Sequence, residues 1–365
     1  MAMPHVVFRT DSSTTIGSGH VMRCLTLANA LRDKGWQATF ICNLLPGNIT
    51  DWISEQGFQV VRMSIEPDEL AEVYNSPYSY FQEHYWEKDV HKTLSVINEW
   101  EESVEWLVVD HYGIDSKWER IVKPFVNRIM VIDDLEDREH CCELLLDQNL
   151  LPNMESRYQG KVSNEAELLL GPNYALIRPE FVNLRKRITD LIVNPTQICI
   201  FFGGSDPSNQ TRKTLDALDW ANLADIKVEA VIGSSNPHRE ELQAYCEHAQ
   251  NVQLHVQTTK MPEIIARSGY VIGAGGTNTW ERCCLGKPTL LLTVAENQVE
   301  ISKEVHRQGA ALYLGCADRI NAYELGKVVR ELNNKPDILN KMAEIAFTLV
   351  DGRGVDRVIN RLLTG

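Results

Sequence analysis

The sequence lacks long apolar runs, an excess of basic residues and CxxC motifs. Its longest apolar runs, such as IMVI at 129–132, are far shorter than the roughly 20 residues of a transmembrane helix. The first residues lack the basic and apolar segments of a signal peptide. A net charge of −14 argues against binding to nucleic acid or to anionic membranes. The nine cysteines show no CxxC spacing, so we expect reduced cysteines, no structural zinc and a cytoplasmic location.

The composition is otherwise ordinary, with 44% apolar and 24% charged residues. Such values are typical of globular proteins and argue against disorder, collagen or coiled coil. A length of 365 residues fits two cores of roughly 150 residues each. Because the negative charge disfavours nucleic acid and anionic membranes, the expected partners are small molecules. Nothing in the sequence identifies a protein partner.

Short apolar runs alternate with amphipathic segments in two series, which predicts an α/β fold with two Rossmann-like, doubly wound domains and a cleft between them. The predicted domains are residues 1–180 and 190–350, followed by a C-terminal helix at 351–365 whose packing the sequence leaves open. Strands are predicted at 5–9, 37–42, 58–63, 106–110 and 128–133, and again from about 197 in QICIFF, KVEAVI, VQLHV, YVIGA and PTLLLTV.

A Gly/Ser/Thr loop, TDSSTTIGSGH, joins the first strand to a helix predicted over 20–34. Gly17 and Gly19 permit backbone N–H groups to converge there, beside the positive end of the helix dipole. His20 falls in the first turn of the helix, where a charged imidazolium is disfavoured. We therefore expect a neutral His20 that is available as a base, although a histidine that merely packs at a helix start is an equally simple interpretation.

Two further glycine-rich turns, GGS at 203–205 and GAGGT at 273–277, each connect a strand to a helix. Such turns suit a diphosphate at helix N-termini, with Glu281 binding ribose hydroxyls. The first loop is neither a complete GxGxxG fingerprint nor a Walker GK[ST] motif, which disfavours NAD, FAD and ATP-hydrolase functions.

Acidic and aromatic residues follow two other predicted strands. Asp110 and Tyr112 follow the strand at 106–110, where Asp110 is placed to orient His20 or a substrate hydroxyl and Tyr112 to contact substrate. Asp133 and Asp134 superficially match a metal-binding motif, but acids are common in turns after strands, so we expect no metal.

These segments together resemble the UDP-sugar hydrolases of pseudaminic acid biosynthesis along nearly the whole chain. The resemblance lies in IGSGHVMRCLTLA, VVDHYGID, VIDDLEDREH, LLGPNYALIRPEF, FFGGSDPSNQT, GAGGTNTWERCCLGKPTLLL and AENQ, of which GxGHxxRCLxLA is the most specific. It implies a GT-B architecture like that of MurG. It also implies hydrolysis of UDP-2,4-diacetamido-2,4,6-trideoxy-β-L-altropyranose by anomeric C–O cleavage with inversion, without a metal or other cofactor.

The resemblance also implies roles for particular residues. His20 matches the catalytic base that activates water. The substrate-binding set is Gly17, Gly19, Tyr112, Asn149 and Asn297, and the UDP-binding set is Gly204, Ser205, Met261, Gly276, Thr277 and Glu281. Residues 65–90 lie outside the matching motifs.

Three other functions stay open at this point. A MurG-like glycosyltransferase would use a hydroxyl acceptor in place of water. A hydrolysing UDP-N-acetylglucosamine 2-epimerase would need more than one titrating group near the sugar. A nucleotide-sugar-binding regulator would keep both glycine-rich turns and need no base.

Overall fold

The computed structural model describes residues 3–223 and 226–364, which form two units. The first unit contains residues up to Asn149, residues Asn153–Leu176 and the C-terminal segment from Gly354. The second unit contains Leu150–Pro152 and Ile177–Arg353. Among the described residues, no helix is both long enough and apolar enough to cross a membrane.

The first unit is built on a seven-stranded, wholly parallel sheet with the strand order β3-β2-β1-β4-β5-β6-β7. Its strands are β1 (His5–Thr10), β2 (Gln37–Asn43), β3 (Gln59–Met63), β4 (Val104–Asp110), β5 (Val126–Ile132), β6 (Leu144–Asp147) and β7 (Glu167–Leu170). Its helices are α1 (Gly19–Arg32), α2 (Thr50–Glu55), α3 (Pro67–Asn75), α4 (Trp86–Asn98), α5 (Ser116–Val122) and, at the C-terminus, α14 (Gly354–Thr364).

Apolar side chains cover both faces of this sheet. Val6 and Phe8 of β1 join the core that includes α1 and α14, whereas Val7 points to the opposite core. Successive side chains of a strand face opposite sides, and burial on both sides explains why these strands are continuous apolar runs. The C-terminal helix therefore packs in the first unit, where the indole N–H of Trp106 also donates to the carbonyl oxygen of Leu362 at 3.0 Å. This answers the packing question that the sequence left open.

The second unit repeats the plan with a six-stranded parallel sheet in the order β10-β9-β8-β11-β12-β13. Its strands are β8 (Gln197–Phe201), β9 (Lys227–Ile232), β10 (Val252–Val256), β11 (Tyr270–Ala274), β12 (Thr289–Thr293) and β13 (Leu312–Cys316). Its helices are α6 (Pro179–Arg185), α7 (Gln210–Trp220), α8 (Arg239–His248), α9 (Met261–Arg267), α10 (Asn278–Cys284), α11 (Val299–Gln308), α12 (Ala322–Asn333) and α13 (Pro336–Leu349).

The two predicted strand–helix series are present, and the predicted α/β class with two Rossmann-like sheets is confirmed. Strands β6, β7 and β13 were not predicted from the sequence, and each is only four or five residues long. All nine cysteines are free.

Candidate active site

The candidate active site of the first unit lies at the carboxyl edge of its sheet, where the strand order changes direction between β1 and β4. Ligands of doubly wound sheets bind at this kind of switch point. Thr10 at the end of β1 pairs with Asp110 at the end of β4, and β5 lies next to β4. The segments that follow β1 and β4 carry most of the predicted site residues of this unit, and Asn149 follows β6.

His20 lies in the first turn of α1, as predicted, and contacts the carboxylate of Asp110. Its Nδ1–H donates to Oδ1 of Asp110 at 2.6 Å. This bond fixes the ring orientation and leaves Nε2 as the nitrogen with a free lone pair. The orienting role considered for Asp110 is thus what the geometry provides.

Asp110 is fully buried and is held on its other side by Arg23. The guanidinium of Arg23 donates from Nε to Oδ2 and from Nη2 to Oδ1, both at 2.6 Å. Burial alone would raise the pKa of Asp110, but Arg23 and His20 outweigh burial and hold this pKa well below its ordinary value. With both oxygens bound, Asp110 is suited to orient His20 and is unsuited to act as a nucleophile.

Asp134 joins Arg23 to two of the predicted substrate-binding residues. Its carboxylate accepts hydrogen bonds from Nη1 of Arg23 at 2.8 Å, from Nδ2 of Asn149 at 2.5 Å and from the hydroxyl of Tyr112. Burial, followed by the charge of Asp134, raises the pKa of Tyr112 well above its ordinary value. The ring of Tyr112 meets that of His20 edge to face at 4.5 Å. Tyr112 thus contacts His20 directly, and Asn149 is linked to Tyr112 through the carboxylate of Asp134.

The carboxylates of Asp133 and Asp134 are already bound by groups of the protein itself. Asp133 contacts the guanidinium of Arg138 at 2.8 Å and accepts the N–H of Glu136 at 2.9 Å. Within residues 3–223 and 226–364, no three His, Cys, Asp or Glu side chains converge in a way that would hold a metal ion.

The loop before α1 differs from the expectation at Gly17. Its N–H already donates to the carbonyl oxygen of Ser13 at 2.8 Å, so it is not free to bind a ligand as the sequence suggested. Gly17 instead permits the turn, because its φ of 80° lies in the left-handed region that side chains disfavour. Gly19 begins α1, and its substrate role stays a prediction.

Beneath this loop lies a buried ionic cluster that the sequence analysis did not find. Arg9 is fully buried and contacts Asp11 at 2.7 Å and Asp89 at 2.5 Å. Asn43 donates to both of these carboxylates, at 3.0 and 3.1 Å. His111 accepts the N–H of Gly113 at Nδ1, which directs its Nε2–H toward Asp11 at 3.4 Å. The cluster ties the ends of β1 and β2 to α4.

In the second unit, the two glycine-rich turns also flank a switch point, between β8 and β11. The start of α7 differs from the expectation for Gly204 and Ser205, because Asp206 already accepts the N–H groups of Gln210 and Thr211 at 2.9 and 2.8 Å. This helix terminus is therefore occupied by a carboxylate of the protein itself. Any contact of Gly204 and Ser205 with a diphosphate must come from the turn.

The turn after β11 differs from the turn after β8 in how the helix that follows it begins. Gly276 has a φ of 135°, and no side chain caps the start of α10 at Thr277. Glu281 is buried one turn into this helix. Its carboxylate accepts hydrogen bonds from Arg178 at 2.5 and 3.1 Å and from Asn278 at 2.6 Å.

Of the remaining predicted residues, Met261 is buried at the start of α9, and Asn297 is exposed in a short 3₁₀ turn over Glu296–Gln298.

Comparison with known proteins finds a family match that lies almost wholly in the second unit. The model of the glycosyltransferase family 28 C-terminal domain matches residues 198–358. Residues 198–353 of this match lie in the second unit, and residues 354–358 lie in the C-terminal segment of the first unit. Both glycine-rich turns and Glu281 lie within this family 28 match.

Most of the chain is similar to a curated hydrolase. It is 27% identical over 305 residues to the UDP-2,4-diacetamido-2,4,6-trideoxy-beta-L-altropyranose hydrolase of Campylobacter jejuni, covering 83% of this chain and 97% of that protein. It is also 29% identical to the spore coat polysaccharide biosynthesis protein SpsG of Bacillus subtilis, over 54% of this chain and 58% of that protein. The resemblance that the motifs indicated is confirmed.

Solved structures support the fold class. Acinetobacter baumannii MurG aligns with a TM-score of 0.63 and 14% identity, over 99% of this chain and 100% of that one. LpCGTa in complex with UDP aligns with a TM-score of 0.67 and 13% identity, over 100% of both chains. At these identities the likeness concerns the fold alone, and it confirms the predicted GT-B class.

Proposed function

We propose that the protein hydrolyses UDP-2,4-diacetamido-2,4,6-trideoxy-β-L-altropyranose to UDP and 2,4-diacetamido-2,4,6-trideoxy-L-altrose, a precursor of pseudaminic acid. The observation that carries this proposal is the pairing of His20 with Asp110, which leaves Nε2 free to take a proton from water. The similarity to the Campylobacter hydrolase supports the choice of substrate. We assign the reaction to the cytoplasm, because a charged nucleotide sugar does not cross a bilayer unaided.

In the proposed reaction, a water oxygen attacks the anomeric carbon while Nε2 of His20 takes a proton from that water. The bond from the anomeric carbon to the diphosphate oxygen breaks, and UDP leaves with the electron pair. Asp110 stabilises the imidazolium that forms, as the carboxylate of a catalytic triad does. Attack by one water on the face opposite UDP inverts the anomeric configuration, and no carboxylate nucleophile is needed.

UDP is a good leaving group, so its departure needs charge stabilisation more than a proton donor. We assign this task to the second unit, with Gly204, Ser205, Gly276 and Thr277 at the diphosphate, Met261 beside the uracil and Glu281 on the ribose. Tyr112, Asn149, Asn297, Gly17 and Gly19 are assigned to the sugar. For Gly17 this role is limited to shaping the loop, since its N–H is already bonded.

The function is tested by measuring UDP release from a small panel of UDP-sugars with water as the only acceptor. We expect release from the diacetamido-trideoxy-altrose donor and free sugar as the second product. UDP binding without release would favour a transferase that awaits an acceptor, or a regulator, and would refute hydrolysis. Release of an epimerised sugar from UDP-N-acetylglucosamine would favour the 2-epimerase.

Removing divalent metal ions is expected to leave the reaction intact. Asp133 and Asp134 are the acids that best match a metal motif, and they are already bound to Arg138 and Arg23. The turnover number in excess EDTA should therefore stay within about twofold of the untreated value. Loss of activity in EDTA, with recovery on adding Mg²⁺ or Mn²⁺, would contradict this part of the mechanism.

Replacing Glu281 with glutamine is expected to weaken UDP binding by about 10-fold or more, because hydrogen bonds from ribose hydroxyls to a charged acceptor are stronger than those to an amide. Isothermal titration with UDP measures the effect. Glu263→Gln is the matched control, since Glu263 is an exposed acid on α9 of the same unit. Equal dissociation constants for wild type and Glu281→Gln would remove Glu281 from the nucleotide site.

A further inference from the structure

The segment over residues 74–85, to which the sequence analysis gave no role, lies directly on the His20 site within the first unit. The hydroxyls of Tyr74 and Thr14 are hydrogen bonded, and the hydroxyl of Thr15 donates to the carbonyl oxygen of Tyr74 at 3.0 Å. Nε2 of Gln82 donates to the carbonyl oxygen of Tyr112 at 3.1 Å. The segment is thus anchored both to the loop before His20 and to the turn that carries Tyr112.

These anchors place Tyr78 at the one ring nitrogen of His20 that Asp110 leaves free. The hydroxyl oxygen of Tyr78 is 3.4 Å from Nε2 of His20. The ring of Tyr78 lies 5.1 Å from that of Tyr112 and 6.0 Å from that of His111. Burial, followed by the negative charge of Asp110, raises the pKa of Tyr78 far above its ordinary value, so its hydroxyl keeps its proton and remains a donor.

The separation of 3.4 Å between the hydroxyl oxygen of Tyr78 and Nε2 of His20 indicates how the two groups are able to interact. A direct hydrogen bond from a hydroxyl is normally about 2.7–3.0 Å long, so the contact between Tyr78 and His20 is weak. The same separation permits one water molecule, placed beside the two atoms, to lie within hydrogen-bond distance of both. The two groups would bind that water differently, because Nε2 only accepts a hydrogen bond and the hydroxyl of Tyr78 is able to donate one.

We propose that Tyr78 is the second ligand of the attacking water, a role that rests on the proposed hydrolysis. The water donates one hydrogen to Nε2 of His20 and accepts the hydroxyl hydrogen of Tyr78 with one lone pair. Its other lone pair is then directed at the anomeric carbon. During attack the water proton passes to Nε2, and the hydroxyl of Tyr78 keeps its own proton throughout. Tyr78 thereby restricts the orientation of the nucleophile, which is a principal source of rate enhancement in enzymes.

The test compares Tyr78→Phe with the wild type in steady-state hydrolysis. Phenylalanine keeps the ring that meets Tyr112 and His111 and removes only the hydroxyl. We expect kcat to fall by about 10-fold with KM within about twofold, since the lost hydrogen bond acts on the water and not on the sugar. Tyr80→Phe is the matched control, because the ring of Tyr80 contacts His84, away from His20, and it should match the wild type.

A second readout separates a local role from a general structural one. In protein labelled with ¹⁵N-histidine, the Nε2 resonance of His20, assigned with His20→Asn, should move at constant pH in Tyr78→Phe and stay in place in Tyr80→Phe. An active wild type with unchanged kcat in Tyr78→Phe would overturn the role of Tyr78 alone. A raised KM with unchanged kcat would also overturn it, by making Tyr78 a sugar contact. A wild type that hydrolyses no UDP-sugar would overturn the proposed function, and the water role of Tyr78 with it.

Discussion

Replacing His20 with asparagine is expected to lower kcat for UDP release by about 10³-fold, because general base catalysis typically contributes 10²–10⁴. Asparagine is close to histidine in polarity but accepts no proton near neutral pH. The dissociation constant for UDP should stay within about twofold, since the residues assigned to the nucleotide belong to the second unit and His20 belongs to the first unit. Steady-state turnover and isothermal titration with UDP measure the two quantities on the same sample.

Asp110→Asn provides the companion test, because it removes the charge that orients His20. An amide at this position is able to donate to Nδ1, which would place the imidazole proton on Nε2 and block its use as a base. We expect a loss of about 10²-fold or more in kcat with little change in UDP binding. Wild-type turnover in His20→Asn would remove His20 from the mechanism, whatever the result for Asp110→Asn.

Replacing Arg9 with methionine is expected to destabilise the first unit by about 3–5 kcal/mol, because two buried carboxylates lose their positive partner. Arg9 and Asp89 are fully buried, and Asp11 is almost so. Burial would raise the pKa of Asp11, but Arg9 and His111 outweigh burial and lower it well below the ordinary range. A chain of two units need not unfold in one step. Hydrogen exchange of the β1 and β4 amides therefore measures the opening free energy of the first unit by itself.

Two further variants show whether charge is the cause of this loss. Arg62→Met is the matched control, since Arg62 pairs with the exposed Asp51 and should cost less than about 1 kcal/mol. Adding Asp11→Asn and Asp89→Asn to Arg9→Met should restore part of the lost stability by removing the unpaired charges. An effect of Arg9→Met no larger than that of Arg62→Met would contradict the importance assigned to this cluster.

Much of the fold is predictable because its signals are local. The strands β1, β4 and β5 are apolar runs buried on both faces, and α1 has a helical apolar period, so each is visible within its own residues. The packing of α14 was not predictable in this way. It depends on contacts with α1, more than 300 positions earlier in the chain, and no local pattern reports such a contact.

The candidate site likewise contains some residues that a local sequence signal reveals and others that have no such signal. His20 follows β1 and Asp110 ends the neighbouring strand β4, and contact with His20 was one of the two roles that the sequence offered for Asp110. Arg23 was missed although it lies three residues after His20, on the same helical face, and that spacing was the available signal. Tyr78 had no such signal. Its position beside His20 arises from the folding of a segment that the recognisable motifs do not include.

The most direct test of the account is to run the reaction in H₂¹⁸O and examine the released UDP by ³¹P NMR. Attack of water on the anomeric carbon leaves the original oxygen on the β-phosphate, so we predict UDP free of ¹⁸O together with one free sugar for each UDP. Incorporation of ¹⁸O into the β-phosphate would show that water attacks phosphorus instead. That result would contradict the central claim that the His20 site activates water for attack on the anomeric carbon of the sugar.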